Sequence, residues 1–455
     1  MKFDAIILGS GQAGLPLAYA LAARGSVAIV EKGNLGGTCI NTGCTPTKTM
    51  VARAQIAHYA RNAERWGVST AGARVNLDTI VAQKNKVVEN ARNSQAKRIR
   101  ETPSLRLYKG VAQFAGPHQV KVGGELLESD QIFINTGARP SIPEIPGLAD
   151  SNYLTNETIM ELTTVPEHLV VLGGGYVGLE FAQMFSRFGS QITVIQNTAQ
   201  IVPREDPEVA AELQKCLEVE GIKFVLDARV TNIETKDTTV EITIEQQGAS
   251  REICSSHLLL ATGRKPNTED LLPERAGLAT DKNGFIKVNG KLETNVPGIW
   301  ALGDVKGGPA FTHISYNDYQ IVSANLIEGK NLSIENRIVS YCVFTDPELG
   351  AVGLTEKEAR ENGYRLKIGS VPMTRVSRAI ERDETAGLMK LIVNAENDRV
   401  LGARILSSEG GETVHVLYTL MLADLPYTLM KTAIYIHPTM AEGLFFLIDA
   451  VKPAP

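Results

Sequence analysis

The same short unit occurs twice in this chain, and it dictates the class of fold. Ala5-Ile6-Ile7-Leu8 is an apolar run, Gly9-Ser10-Gly11-Gln12-Ala13-Gly14 a glycine turn, and 15–22 an apolar, helix-favouring stretch. A second apolar run, Val27-Ala28-Ile29-Val30, ends at Glu31. Short continuous apolar runs mark parallel strands buried on both faces. Glycines at 9, 11 and 14 allow a tight turn that brings a pyrophosphate against a helix N-terminus. An acid about 20 residues on can accept from a ribose hydroxyl. The theme returns at Leu169-Val170-Val171-Leu172, with Gly173, Gly175 and Gly178 in the turn, a helix over 179–188, and a strand Ile192-Thr193-Val194-Ile195. This second strand ends in Gln196-Asn197, not in an acid. Each unit closes on a Thr-Gly strand exit, at Asn135-Thr136-Gly137 and Ala261-Thr262-Gly263. Two such units predict an α/β chain with two Rossmann-like dinucleotide-binding domains, one holding a flavin and the other receiving a nicotinamide.

Directly after the first unit comes Gly36-Gly37-Thr38-Cys39-Ile40-Asn41-Thr42-Gly43-Cys44-Thr45-Pro46-Thr47-Lys48. Four residues between two cysteines can form a tight loop that brings the sulfurs within disulfide reach. Thr45 is expected to cap the following helix, with Pro46 in its first turn, and the helix is expected over 46 to about 65. A helix N-terminus beside Cys44 favours a thiolate. This is a redox pair. The remaining cysteines, Cys216, Cys254 and Cys342, complete an odd and sparse set, unlike a secreted disulfide framework. They read as inert small hydrophobes.

A reducing cytoplasm is the expected location, because Met1 to Gly9 has too short an apolar run for a signal peptide. No stretch approaches a membrane span. The net charge of −5 comes without a long basic run, which argues against nucleic acid as a partner. Length, 455 residues, allows about three domains. The expected division is 1–147 (flavin unit with the redox pair), 148–266 (nicotinamide unit), 267–336 (return to the flavin unit) and 337–455 (a separate α+β domain). Residues 140–147 read as a linker. Another apolar run, Ile299-Trp300-Ala301-Leu302, ends in Gly303-Asp304. After residue 337 the texture changes to alternating strands and then helices, ending near His437-Pro438-Thr439-Met440-Ala441-Glu442.

These motifs, in this order along essentially the whole chain, resemble the class I pyridine nucleotide–disulfide oxidoreductases. That family includes glutathione reductase, lipoamide dehydrogenase and mercuric reductase. The resemblance implies FAD held by Gly9, Gly11, Gly14 and Glu31, with Asp304, beside Gly303, on its ribityl or phosphate region. Lys32, Thr38, Thr136, Gly137 and Gly263 join as cofactor-site candidates. It implies that Cys44 lies against the flavin, that Cys39 meets substrate, and that Lys48 and Glu180 pair where hydride arrives. Tyr176 would cover the flavin face until the nicotinamide displaces it. His437, oriented by Glu442, would serve as acid/base in the partner subunit's site of a homodimer. Chemically, a thiolate attacks a disulfide and its leaving group needs a proton. A histidine can take and return that proton near neutrality.

Nicotinamide choice turns on Gln196, which lacks the negative charge that would repel a 2′-phosphate. Asn197 stands where NADPH-using relatives carry arginine, and Arg204 is the nearest guanidinium left. NADPH is expected over NADH. The wording of the cysteine loop and of Arg375-Val376-Ser377-Arg378-Ala379 is nearest the mercuric-reductase-like branch, but no cysteine follows Cys342, so that branch's C-terminal pair is missing. A small disulfide is the expected substrate. A metal ion such as copper or mercury is second, and a lipoamide dehydrogenase role in a multienzyme complex is an alternative, as is, more remotely, a flavoprotein sensor. Arg53, His58 and Arg61, on the helix after the redox pair, read as a solvated face that could instead line a substrate groove. Arg375 and Arg378 read as surface loop or as contacts to a substrate anion.

Overall fold

A computed structural model describes residues 1–454. Ala5–Leu8 is the middle strand of a five-stranded parallel sheet ordered Ile299–Ala301, Ile132–Ile134, Ala5–Leu8, Val27–Glu31, Leu105–Lys109. Ile7 sits opposite Ile29 on one side and Phe133 on the other. Ile6, Ile7 and Leu8 are wholly buried, as a strand covered on both faces requires, and each such side chain contributes about 1.5–3 kcal/mol. The strand Ile299–Ala301 comes from far along the chain, and it carries Trp300, stacked on Phe133 at 4.9 Å.

The second unit builds a four-stranded parallel sheet, ordered Lys223–Val225, Gln191–Ile195, His168–Leu172, His257–Leu260. An antiparallel three-strand meander covers it. In both units the helix packs so close to its glycine turn that a Cβ on Gly14 would lie 2.2 Å from Gly9 O, and one on Gly178 would lie 2.0 Å from Gly173 O. No side chain fits there. The third region is a six-stranded antiparallel sheet with the helices Gly410–Leu422 and Gly443–Asp449. The expected fold class is the one observed.

Three local expectations change. The helix after the redox pair is Cys44–Arg61, capped at Gly43 without a side-chain bond, so Cys44 and not Thr45 opens it. Thr45 lies inside, its carbonyl accepting from Thr49 Oγ1. The helix stops at Arg61, and a 3-10 turn, Ala63–Trp66, follows. Residues 140–147 are not wholly linker. Ala138–Pro140 pairs antiparallel with Arg264–Pro266, and Ser141 N–H donates to Gly263 O at 2.9 Å. The chain enters and leaves the second unit side by side. No helix among the described residues is long and apolar enough to cross a membrane.

Candidate active site

Cys39 lies on the short helix Gly37–Asn41, and Cys44 opens the next helix. Both are free thiols. The neighbouring Cys39 is the main influence that lowers Cys44 to about 6, against burial, with help from Thr312 and the Lys48 charge. Cys44, then burial, pushes Cys39 up. The surroundings thus favour the thiolate at Cys44 over that at Cys39. Thr312 Oγ1 stands 3.1 Å from Cys44 Sγ.

One turn into the helix, Lys48 Nζ meets Glu180 Oε2 at 2.5 Å, and Phe344 N–H donates to Glu180 Oε1 at 2.9 Å. Glu180 is 4% exposed, so a charge there requires these partners. Tyr176, one turn earlier on the same helix, lies 5.4 Å from the Phe311 ring. Phe311 in turn stacks on Tyr341 and His313.

Around the first glycine turn, Glu31 Oε2 accepts from Ser10 N at 2.9 Å and from Ser10 Oγ at 2.6 Å. Its Oε1 accepts from Gly33 N at 2.8 Å. Asn135 Oδ1 accepts from Gly14 N at 2.9 Å, and its Nδ2 donates to Leu302 O at 2.8 Å. Gly303 N–H donates to the fully buried Asp318, which also pairs with Lys306 and Arg337. Asp304 lies 3.5 Å from Arg264 Nε; burial raises its carboxyl, with Arg264 and Lys306 opposing.

A cavity of about 1300 Å³ joins these groups. Gly9, Gly11, Glu31 and Lys32 line it, as do Thr38, Cys39, Cys44 and Lys48. Thr136, Gly137, Tyr176, Glu180 and Asp304 lie along it. Gly14 and Gly303 stand behind this wall through the bonds just given. Gly173, Gly175, Gly178, Gln196, Asn197, Arg204 and Gly263 belong to the second unit's turn and edge, outside the cavity. There Gly174 N–H donates to Gln196 Oε1 at 2.8 Å, while Gln196 Nε2 donates to Thr198 Oγ1 at 2.6 Å. Asn197 and Arg204 are exposed. His437 does not line its own chain's cavity. Its Nδ1 lies 2.8 and 3.0 Å from the two oxygens of Glu442, and its side chain is 64% exposed.

On the basic helix face the exposed Arg61 donates to Arg187 O and Phe188 O, the half-buried His58 faces Glu220 at 3.7 Å, and the half-buried Arg53 donates to Thr49 O. None of the three lines the cavity. Arg375 lies over Phe446, and Arg378 pairs with Glu381. Burial pushes the Cys216 thiol up to about 12 and that of Cys342 higher still; Cys254 is exposed.

Sequence reasoning missed Asn135, Thr312, Arg264 and Asp318 as site residues. Asn135 had a signal. The two Thr-Gly exits match except that Asn135 stands where the second copy has Ala261.

The model of the pyridine nucleotide-disulphide oxidoreductases matches residues 3–318, and that of their dimerisation domain matches 339–445. The chain belongs to this family. Among the pyridine nucleotide–disulphide oxidoreductases it is 36% identical to the probable oxidoreductase RclA of Escherichia coli, over 99% of this chain and all of that one. It is 37% identical to a mercuric reductase of Lysinibacillus sphaericus, over 97% of this chain and 81% of the relative. The solved structure of the Cu(II) complex of the HOCl-induced flavoprotein disulfide reductase RclA from Escherichia coli superposes with a TM-score of 0.90 at 36% identity, covering 99% of this chain and 100% of that one. Membership brings FAD and a pyridine nucleotide as cofactors, and the dimerisation domain makes the protein a homodimer. The residues present fit the flavin. Thr136 Oγ1 is buried without a partner among the described residues. A Cβ on Gly137 would meet nothing within 4 Å. The cavity runs unbroken from the glycine turn to the thiols.

Proposed function

We propose that this enzyme takes hydride from NADPH and delivers the electrons, through the Cys39–Cys44 pair, to a small disulfide. The observation that carries this reading is the placement of two free thiols, Cys39 and Cys44, on the cavity that the first glycine turn opens, with Thr312 Oγ1 3.1 Å from Cys44 Sγ. FAD, held along Gly9, Gly11, Glu31 and Asp304, would supply the two-electron link between the nicotinamide and a Cys39–Cys44 disulfide.

The remaining steps belong to the chain. Cys39, deprotonated by the partner subunit's His437, attacks one sulfur of the substrate disulfide. A mixed disulfide forms and the first substrate thiolate leaves, taking the proton from the partner's His437. Cys44 then attacks the Cys39 sulfur, releases the second thiolate, and restores the internal disulfide. The sum is one NADPH, one proton and one disulfide converted to NADP⁺ and two thiols. Glu442 holds the His437 Nδ1, which leaves Nε2 for proton transfer. The exposure of His437, and its absence from the cavity of its own chain, support a role in the partner's site. Lys48 and Glu180 set the field where hydride arrives, Tyr176 covers that entrance, and Asp304 with Glu31 and Asn135 orient the bound flavin.

NADPH is favoured by Gln196, a neutral amide, and by Arg204, exposed in the same loop with no ion pair among the described residues. Metal-ion reduction is the second reading, favoured by the Cu(II) complex of RclA and the dithiol character of the exit. A steady-state screen crossing NADPH and NADH with disulfides, Cu(II) and Hg(II) tests all of this. Turnover with metal ions and none with any disulfide would exchange the two readings, and faster NADH turnover would end the coenzyme assignment.

A further inference from the structure

The loop after the second unit's strand Gln191–Ile195 ends in Arg204-Glu205-Asp206, and its two carboxylates are buried against the sheet of the dimerisation domain. Arg404 Nε donates to Glu205 Oε2 at 2.5 Å, and Lys390 Nζ to Asp206 Oδ2 at 2.9 Å. None of these four side chains is more than 3% exposed. Lys390 and Arg404 are direct cross-strand partners. Like charges so placed repel, and here each is neutralised by one carboxylate of the loop.

The attachment is directional. Arg404 Nη1 also donates to the carbonyls of Val352 and Ala403. Asp206 accepts from Glu356 N at 3.0 and 3.2 Å. Burial works against the charge of Lys390, but its hydrogen bonds to Glu208, Glu356 and Asp206 outweigh that. The other end of the loop is tied to the glycine turn. Val202 N–H donates to Gly174 O at 2.8 Å, and Gln200 Nε2 donates to Glu205 O at 3.0 Å. Arg204 sits between these two anchors, exposed.

We propose that the Glu205–Arg404 and Asp206–Lys390 pairs make the dimerisation-domain sheet a positioning element for coenzyme selectivity, holding the backbone that presents Arg204 to the 2′-phosphate. This rests on the reading above that NADPH is preferred and that Arg204 meets its phosphate. The four anchors touch no coenzyme. They act through Arg204, and a guanidinium rewards fixed geometry because it binds phosphate as a planar fork.

The test uses the holoenzyme and two adenosine fragments, 2′,5′-ADP and 5′-AMP, titrated by calorimetry. The wild type binds 2′,5′-ADP at least about 10-fold more tightly, and Arg204→Met collapses that ratio. Arg404→Gln reduces the ratio about 5-fold while 5′-AMP affinity stays within about 2-fold. In Arg204→Met/Arg404→Gln the loss is no greater than in Arg204→Met alone, because Arg404 acts through Arg204. Should Arg404→Gln fail to fold, Glu205→Leu/Arg404→Met removes both charges together, which buried pairs tolerate, and it too lowers the ratio. A ratio unchanged by both anchor variants but lost in Arg204→Met overturns the inference and leaves the coenzyme reading intact, as does an additive loss in the double variant. A wild-type ratio near one, or one untouched by Arg204→Met, removes the coenzyme reading and the inference with it.

Discussion

Glu31 and Gln196 occupy the same station in the two dinucleotide units. Each accepts from the backbone N–H just after the first glycine of its turn, Ser10 at 2.9 Å and Gly174 at 2.8 Å. The second turn keeps this brace and loses its negative charge. Gln196→Glu preserves the acceptor and restores the charge. Its kcat/KM for NADPH should fall about 10- to 100-fold, roughly 1.4–2.8 kcal/mol, with NADH little changed. Equal losses for both coenzymes would show that Gln196 serves only the turn.

The thiol pair has a pH signature. The neighbouring Cys39 is the main influence that lowers Cys44 to about 6. Alkylation of Cys44 by iodoacetamide, read by mass spectrometry, should rise with pH through about 6 and then level off, since only the thiolate reacts. In Cys39→Ala that influence is gone and the inflection moves up, toward the ordinary thiol range. An inflection that stays put would assign the lowering to Lys48 or Thr312 instead.

Lys48 and Glu180 are a linked pair with unequal burial. Lys48→Met strands a carboxylate that is 4% exposed. Breaking a fully buried pair costs about 3–5 kcal/mol; Lys48 keeps a third of its surface in water, so the cost should be about 2–4 kcal/mol by urea unfolding. Lys48→Met/Glu180→Gln should recover part of it, because the amide still accepts from Phe344 N–H.

Mixed dimers test where His437 works. A Cys39→Ser subunit paired with a His437→Ala subunit has one intact site if acid/base and thiols come from different chains. Such dimers should retain about half of wild-type turnover per dimer. Complete loss would mean that each chain serves itself.

Asn135 is the flavin unit's hidden clasp, joining Gly14 to Leu302. Asn135→Ala leaves a buried N–H and a buried carbonyl unpaired, at about 1–3 kcal/mol each. The purified variant should carry markedly less flavin per polypeptide, measured by absorbance after denaturation.

How much of this the chain announces depends on sequence distance. The glycine turns and the cysteine loop are local patterns that spacing reveals, whereas His437 with Glu442 is legible only through the resemblance to the family. Asn135 reaches Gly14 across 121 residues, and Thr312 reaches Cys44 across 268. No periodicity reports such meetings. Nothing near Glu205 and Asp206 in the chain hints that Lys390 and Arg404 will cover them. Thr45 misled for a local reason. Gly43 adopts the capping position without any side chain, so the helix begins one residue before the hydroxyl.

The strand Ile299–Ala301 closes the first sheet, and Asn135 must wait 167 residues for Leu302. During synthesis at about 5–20 residues per second, that gap lasts roughly 10–30 s. All four strands of the inserted sheet, the last of them ending at Leu260, emerge within this interval. The nascent chain thus offers a complete nicotinamide unit while the flavin unit still has an open edge beside Ile132–Ile134. An unpaired edge strand is a template for wrong partners. On the ribosome, this protein's exposure to misassembly is concentrated in its oldest residues, not its newest.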